Sequence, residues 1–197
     1  IIDISGSNFF GSKSIFKNEY VTELAATLAF SATKNNDKVG LILFSDNVEL
    51  YIPPKKGKSH VLRIIRELLE FKSKSKKTDI NVPLKFVSNI LKNRSIAFII
   101  SDFISKDYSN SLKIFSSKHD VTGIRVYDQT EEIIPNLGVI DINDNETGQR
   151  LTVNTGSKIV RKKYAEYYNL KRMEFTENFK MSGSGIIECN TCLLYTS

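Results

Sequence analysis

"SIAFIISDF" (residues 95–103) is the most hydrophobic run of the chain, and its reading decides the rest. It has strand length, not membrane-span length. We read it as a central strand that delivers Asp102 to its carboxyl end. After it, "YSNSLKIFSSK" (108–118) reads as a short helix and "DVTGIRVYD" (120–128) as another strand. Before it, "TDINVPLKFVSNILKN" (78–93) reads as a helix with Thr78 or Asp79 as N-cap. Pro83 falls in its first turns, where proline is tolerated.

Further outward the alternation continues. "EYVTELAATLAFSATKNND" (19–37) carries Val21, Leu24, Ala25, Leu28 and Ala29 at helical spacing. "KVGLILFS" (38–45) and "NVELYIPP" (47–54) read as a β-hairpin, the second arm stopping at two prolines. "SHVLRIIRELLEF" (59–71) is an amphipathic helix with Val61, Leu62, Ile64, Ile65, Leu68 and Leu69 inward. "LGVIDIND" (137–144) and "QRLTVNT" (149–155) flank the turn signal "NETG" and read as a second hairpin. A long basic amphipathic helix follows over 157–183, then "GIIEC" as a last strand. Strands alternating with helices predict an α/β three-layer sandwich with a mostly parallel central sheet.

The chain has 197 residues, which suits one hydrophobic core. Apolar content of 41% and charged content of 25% are ordinary for a soluble globular protein. No window is apolar enough for a transmembrane helix. Residue 1 is not Met and the first strand starts in mid-course, so the N-terminus reads as truncated, and an upstream targeting or membrane segment stays open. The expected setting is cytoplasmic, with any membrane association coming from upstream sequence. Cys189 and Cys192 are the only cysteines, which excludes a disulfide scaffold and points to a reducing compartment.

The chemistry gathers at strand ends. "IIDISGS" (1–7) places Asp3, Ser5 and Ser7 at alternate positions straight after an apolar run. Ligands of parallel sheets sit at the carboxyl ends of strands, so Asp3 and Asp102 are expected on one rim. Thr78 adds a third hydroxyl. Two carboxylates and three hydroxyls form an all-oxygen set suited to a hard divalent cation: Mg²⁺ first, with Mn²⁺ or Ca²⁺ as substitutes. The bland reading of Asp3-Ser5-Ser7 is a turn bonded to its own backbone, and that of Thr78 or Asp102 is helix capping.

"DISGS", "TDI" and "ISDF" together resemble the metal-ion-dependent adhesion site of von Willebrand factor A domains, and the order of elements resembles that fold. "NNDKVGLILFSDNVELYIPPKKGKSHVLRIIREL" and "RVYDQTEEIIPNLGVIDINDNETG" more closely resemble a bacterial group, domain of unknown function 58, often encoded beside MoxR-type AAA+ ATPases. The resemblance covers residues 1–188. It implies that Ser5, Ser7 and Thr78 ligate the metal directly and that Asp3 and Asp102 hold it mostly through water. An acidic group of the partner completes the sphere. Gly6, Asn8, Asp79 and Phe103, beside the ligands, would then meet that partner. The implied role is assembly or regulation with a MoxR-type ATPase.

Other features carry less. Lys55, Lys56, Lys58, Arg63, Arg66, Lys72, Lys74, Lys76 and Lys77 form a basic stretch without interleaved aromatics, so it reads as a solvated face and nucleic acid is not the expected partner. His60 and His119 stand alone, one read as surface and one as a loop residue. "CNTC" (189–192) lacks the second pair that a structural zinc site needs. Residues 189–197 read as a truncated or non-native tail. No nucleophile has a paired base, so the domain is not read as an enzyme. The competing readings are a metal-dependent hydrolase or phosphotransferase on the same rim, and a nucleic-acid-binding domain using the lysines.

Overall fold

The shortest strand, β1 (Ile2–Asp3), lies in the interior of the main sheet. The protein is described here from a computed structural model covering residues 1–5, 12–128, 132–143 and 150–191. The other strands of this sheet are β2 (Val39–Phe44), β3 (Val48–Lys55), β4 (Ile96–Ser101), β5 (Asp120–Tyr127) and β8 (Gly185–Asn190). Their order is β3-β2-β1-β4-β5-β8. Four of the five pairings are parallel, and only β2–β3 is antiparallel. β6 (Val139–Asn143) and β7 (Arg150–Asn154) form a separate antiparallel ladder. The expected "NETG" turn between them lies outside the described residues.

Among the described residues five helices cover the sheet: α1 (Ser12–Lys34), α2 (Lys58–Glu70), α3 (Asn81–Ile90), α4 (Ser109–Ser116) and α5 (Lys158–Met181). Alternate strand residues point to opposite faces, and the core divides accordingly. One half packs Phe44, Ala97, Ile99 and Val121 against Leu84 and Val87 of α3, Leu112 and Phe115 of α4, and Phe175 and Phe179 of α5. The other half packs Ile2, Leu41, Leu43, Ile100 and Ile124 against Val21 of α1 and Ile64 and Leu68 of α2. The result is the three-layer α/β sandwich that the alternation predicts.

Gly123 in β5 fixes how closely α5 approaches. A Cβ there would meet ring atoms of Phe179 at 2.5 Å and of Phe175 at 2.8 Å. Only a residue without a side chain lets two phenyl rings lie on the strand at that distance.

Several boundaries differ from expectation. β3 runs through Pro53 and Pro54 to Lys55 instead of stopping at them. It is the edge strand, where a missing N–H need break no ladder. In α2 only Val61, Ile64 and Leu68 are buried, whereas Leu62 and Leu69 are 57% and 65% exposed. The inward stripe is therefore narrower than its six apolar residues suggest. α3 starts at Asn81, with Thr78 lying ahead of it and bonded to Ser5. β8 runs to Asn190, one residue beyond the "GIIEC" expected as the last strand. Residues 192–197, including Cys192, lie outside the described part.

Candidate metal centre

The parallel pairing of β1 with β4 builds the site. Ile2 lies opposite Ile100, so the next residues, Asp3 and Ser101, leave the sheet side by side on its carboxyl rim. The Ser101 hydroxyl donates to Asp3 Oδ2 at 2.6 Å. The Ser5 backbone N–H donates to Asp3 Oδ1 at 2.9 Å. The same Ser101 oxygen accepts the Phe103 N–H at 3.0 Å. Asp102 turns its chain back, its Oδ1 accepting the Ile104 N–H at 2.9 Å.

Thr78 arrives from a distant part of the chain. Its hydroxyl donates to Ser5 Oγ at 2.7 Å. The Asp79 N–H donates to the Ser45 carbonyl at 3.0 Å, which ties this segment to the end of β2. Ser105 Oγ accepts the Ile80 N–H at 3.3 Å, closing the loop after Asp102 onto the same segment. Asp3, Ser5, Ser45, Thr78, Ser101 and Asp102 are all buried.

Burial and the neighbouring Asp102 charge push the Asp3 carboxyl up to about 7, against the pull of the bonds from Ser101 and Ser5. Two buried carboxylates that repel one another, beside two hydroxyls, suit a hard cation, which a soft nitrogen or sulfur ligand set would not. Among the described residues no three His, Cys, Asp or Glu side chains gather as a metal cluster, so the donor set depends on the hydroxyls. Ser5, Thr78, Asp3 and Asp102 are the residues that would hold the ion.

Four of the expected metal ligands, Asp3, Ser5, Thr78 and Asp102, are thus brought to one rim. Ser7, Gly6 and Asn8 lie outside the described residues. One expected partner contact is placed differently. Phe103 is only 2% exposed, with its ring 4.3 Å from that of Phe175 and 5.2 Å from that of Phe179. It is a core residue and has no surface to offer a partner. Asp79 Oδ1 accepts both the backbone N–H and the side-chain amide of Asn81 at 3.0 Å, and so starts α3.

Sequence reasoning missed Ser101, Ser45 and Ser105. Ser101 was signalled by standing last in the apolar run, where a hydroxyl must find a partner. The other two supply contacts that no local pattern announces. Both histidines lie at the opposite rim. His60 Nε2 meets the carbonyl of Val39, the first residue of β2, at 2.9 Å. His119 directly precedes β5 and is buried against Phe115.

Comparison with known proteins agrees with this architecture. The chain resembles BatB from Bacteroides thetaiotaomicron with a TM-score of 0.61 and 17% identity, over 96% of this chain and 87% of that one. It resembles an aerotolerance-related membrane protein from Bacteroides fragilis with a TM-score of 0.58 and 19% identity, over 96% and 88%. Uncharacterized proteins Mb1516 of Mycobacterium bovis and Rv1480 of Mycobacterium tuberculosis are each 22% identical over 151 residues, 75% of this chain. The chain spans 48% of the length of these curated relatives. The family model described as "Protein of unknown function DUF58" matches residues 1–174, and the chain belongs to that family.

Proposed function

We propose that this domain binds a divalent cation, Mg²⁺ in the first instance, at the carboxyl rim of its sheet and uses it to recognise a protein partner. The reading rests on one observation above the others: two carboxylates, Asp3 and Asp102, are buried together beside the bonded hydroxyls of Ser5 and Thr78. When bound, the ion supplies positive charge and an open position for an acidic group of the partner. Thr78 and Ser5 orient each other's oxygens, and Ser101 holds one carboxylate oxygen of Asp3. Resemblance to von Willebrand factor A domains supports the same reading, and family context supports a MoxR-type AAA+ ATPase as partner in assembly or regulation.

Binding is preferred to hydrolysis on geometric grounds. Ser5 has no imidazole at its rim, since His60 and His119 stand at the other one. A hydroxyl nucleophile needs a base within hydrogen-bond reach. Immobilised domain should retain the purified MoxR-type ATPase of the same genome in Mg²⁺, and release it in EDTA or when Asp3→Ala is introduced. Equal retention in EDTA would contradict the reading, as would turnover of a phosphoester in Mg²⁺ that Asp3→Ala abolishes.

A further inference from the structure

The basic stretch that looks continuous in the sequence is split by the fold. Lys55 pairs with Val39 at the start of β2, so Lys55, Lys56 and Lys58 lie at the rim away from the metal centre. α2 then crosses back over the sheet. Glu49, near the start of β3, catches the returning loop. Its Oε1 accepts the Ser73 hydroxyl at 3.0 Å and its Oε2 accepts the Lys74 N–H at 2.8 Å. The Ser75 hydroxyl accepts the Lys77 N–H at 3.3 Å. Ser73 and Ser75 are half-buried, while Lys72, Lys74, Lys76 and Lys77 are exposed. The loop therefore turns its serines inward and its lysines out.

This lysine ridge ends on the site itself. Lys77 precedes Thr78, and the whole ridge spans at most about 18 Å from Lys72 to Lys77. No acidic residue interrupts 71–77. Among the described residues Lys72, Lys74 and Lys77 have no salt bridge. Lys106, exposed on the loop after Asp102, adds charge on the same rim. Four acids also stand there, Asp46, Glu49, Asp79 and Asp107, but only Asp107 is exposed, while the other three are half-buried and bonded to neighbouring donors. Four ammonium groups this close to one another lie within about a screening length of their neighbours and reinforce one field.

We propose that the partner of this rim is an acidic segment several carboxylates long, not a lone carboxylate. Its leading carboxylate reaches the cation, and those that follow lie along Lys72, Lys74, Lys76 and Lys77. This rests on the cation-binding reading above and adds the chemistry and direction of the ligand. Nucleic acid is the less favoured occupant. The ridge carries no aromatic ring for bases to stack on, Phe71 being half-buried at its far end.

The test uses the full-length protein, fluorescent hexaglutamate, and a control peptide with one glutamate among serines. Hexaglutamate should bind more tightly than the control in Mg²⁺. Neutralising the ridge as Lys72→Gln, Lys74→Gln, Lys76→Gln and Lys77→Gln together should weaken hexaglutamate about tenfold, as several exposed ion pairs would. It should leave the control peptide and the Mg²⁺-induced rise in melting temperature unchanged. Equal hexaglutamate binding by the ridge variant and wild type, or none by wild type, would overturn the proposal. So would tighter binding of an oligothymidylate of equal charge. Hexaglutamate binding that needs the ridge but ignores EDTA would overturn the metal-anchored direction. If wild type also gains no stability from Mg²⁺, the cation reading falls separately.

Discussion

The hydroxyl of Thr78 donates to the hydroxyl of Ser5 across 2.7 Å, joining two residues that are 73 positions apart in the chain. The bond is buried, and each oxygen fixes where the other points. A threonine that only capped a helix would bond to its own following backbone. Thr78→Val keeps the shape and removes the hydroxyl, leaving Ser5 without its donor. We expect a loss of about 1 kcal/mol in stability without metal, read by urea denaturation. We also expect loss of the Mg²⁺-dependent gain, which Thr78→Ser should restore.

Asp3 and Asp102 repel each other inside the protein, and burial raises the Asp3 carboxyl to about 7. Asp102→Asn removes that repulsion. In EDTA the variant should be at least as stable as wild type, a rare outcome for a change at a buried polar site. In Mg²⁺ the order should reverse. Paired thermal melts of the two proteins, with and without metal, check this.

Gly123→Ala should destabilise the fold by about 1–3 kcal/mol, since its methyl would enter the rings of Phe179 and Phe175. Phe179→Leu alone should also destabilise. The double variant should lose less than the sum, because the smaller side chain makes room for the methyl. A chemical-denaturation double-mutant cycle measures the difference.

His119 gives a pH dependence that is independent of the metal centre. It is buried, neither ring nitrogen has a partner among the described residues, and its ring lies 4.6 Å from that of Phe115. Burial, with a smaller push from Lys118, holds its pKa below the ordinary 6.5. The unfolded chain therefore takes up a proton before the folded one does. The stability linked to this group is full above pH 6.5 and is lost as pH falls from there through the folded value. Replacing it as His119→Phe should flatten this part of the stability–pH curve, measured by denaturant midpoints.

The sequence made the strand and helix alternation legible because periodicity reports which face is buried, and β4 and α2 show this with little ambiguity. It overstated α2 at Leu62 and Leu69, since the pattern cannot tell how far a neighbouring element extends over a helix. It placed Asp3 and Asp102 on one rim through the rule for strand ends, and Thr78 through its position after the lysine loop. It misplaced Phe103. A residue next to a ligand looks exposed from the sequence, but the backbone after Asp102 takes φ of 60° and turns the ring into the core. It also read one basic face where the fold makes two, because only the antiparallel course of β3 carries Lys55 away from Lys77.

A cation held by Asp3, Asp102, Ser5 and Thr78 would bind saturably and stabilise the fold. Isothermal titration of Mg²⁺ into metal-stripped wild type, Asp3→Ala and Thr78→Val tests it most directly. We predict one saturable site per wild-type chain, a melting temperature that rises with Mg²⁺, and neither effect in folded variants. Saturable binding of equal affinity in all three proteins, or none in wild type, would contradict the account.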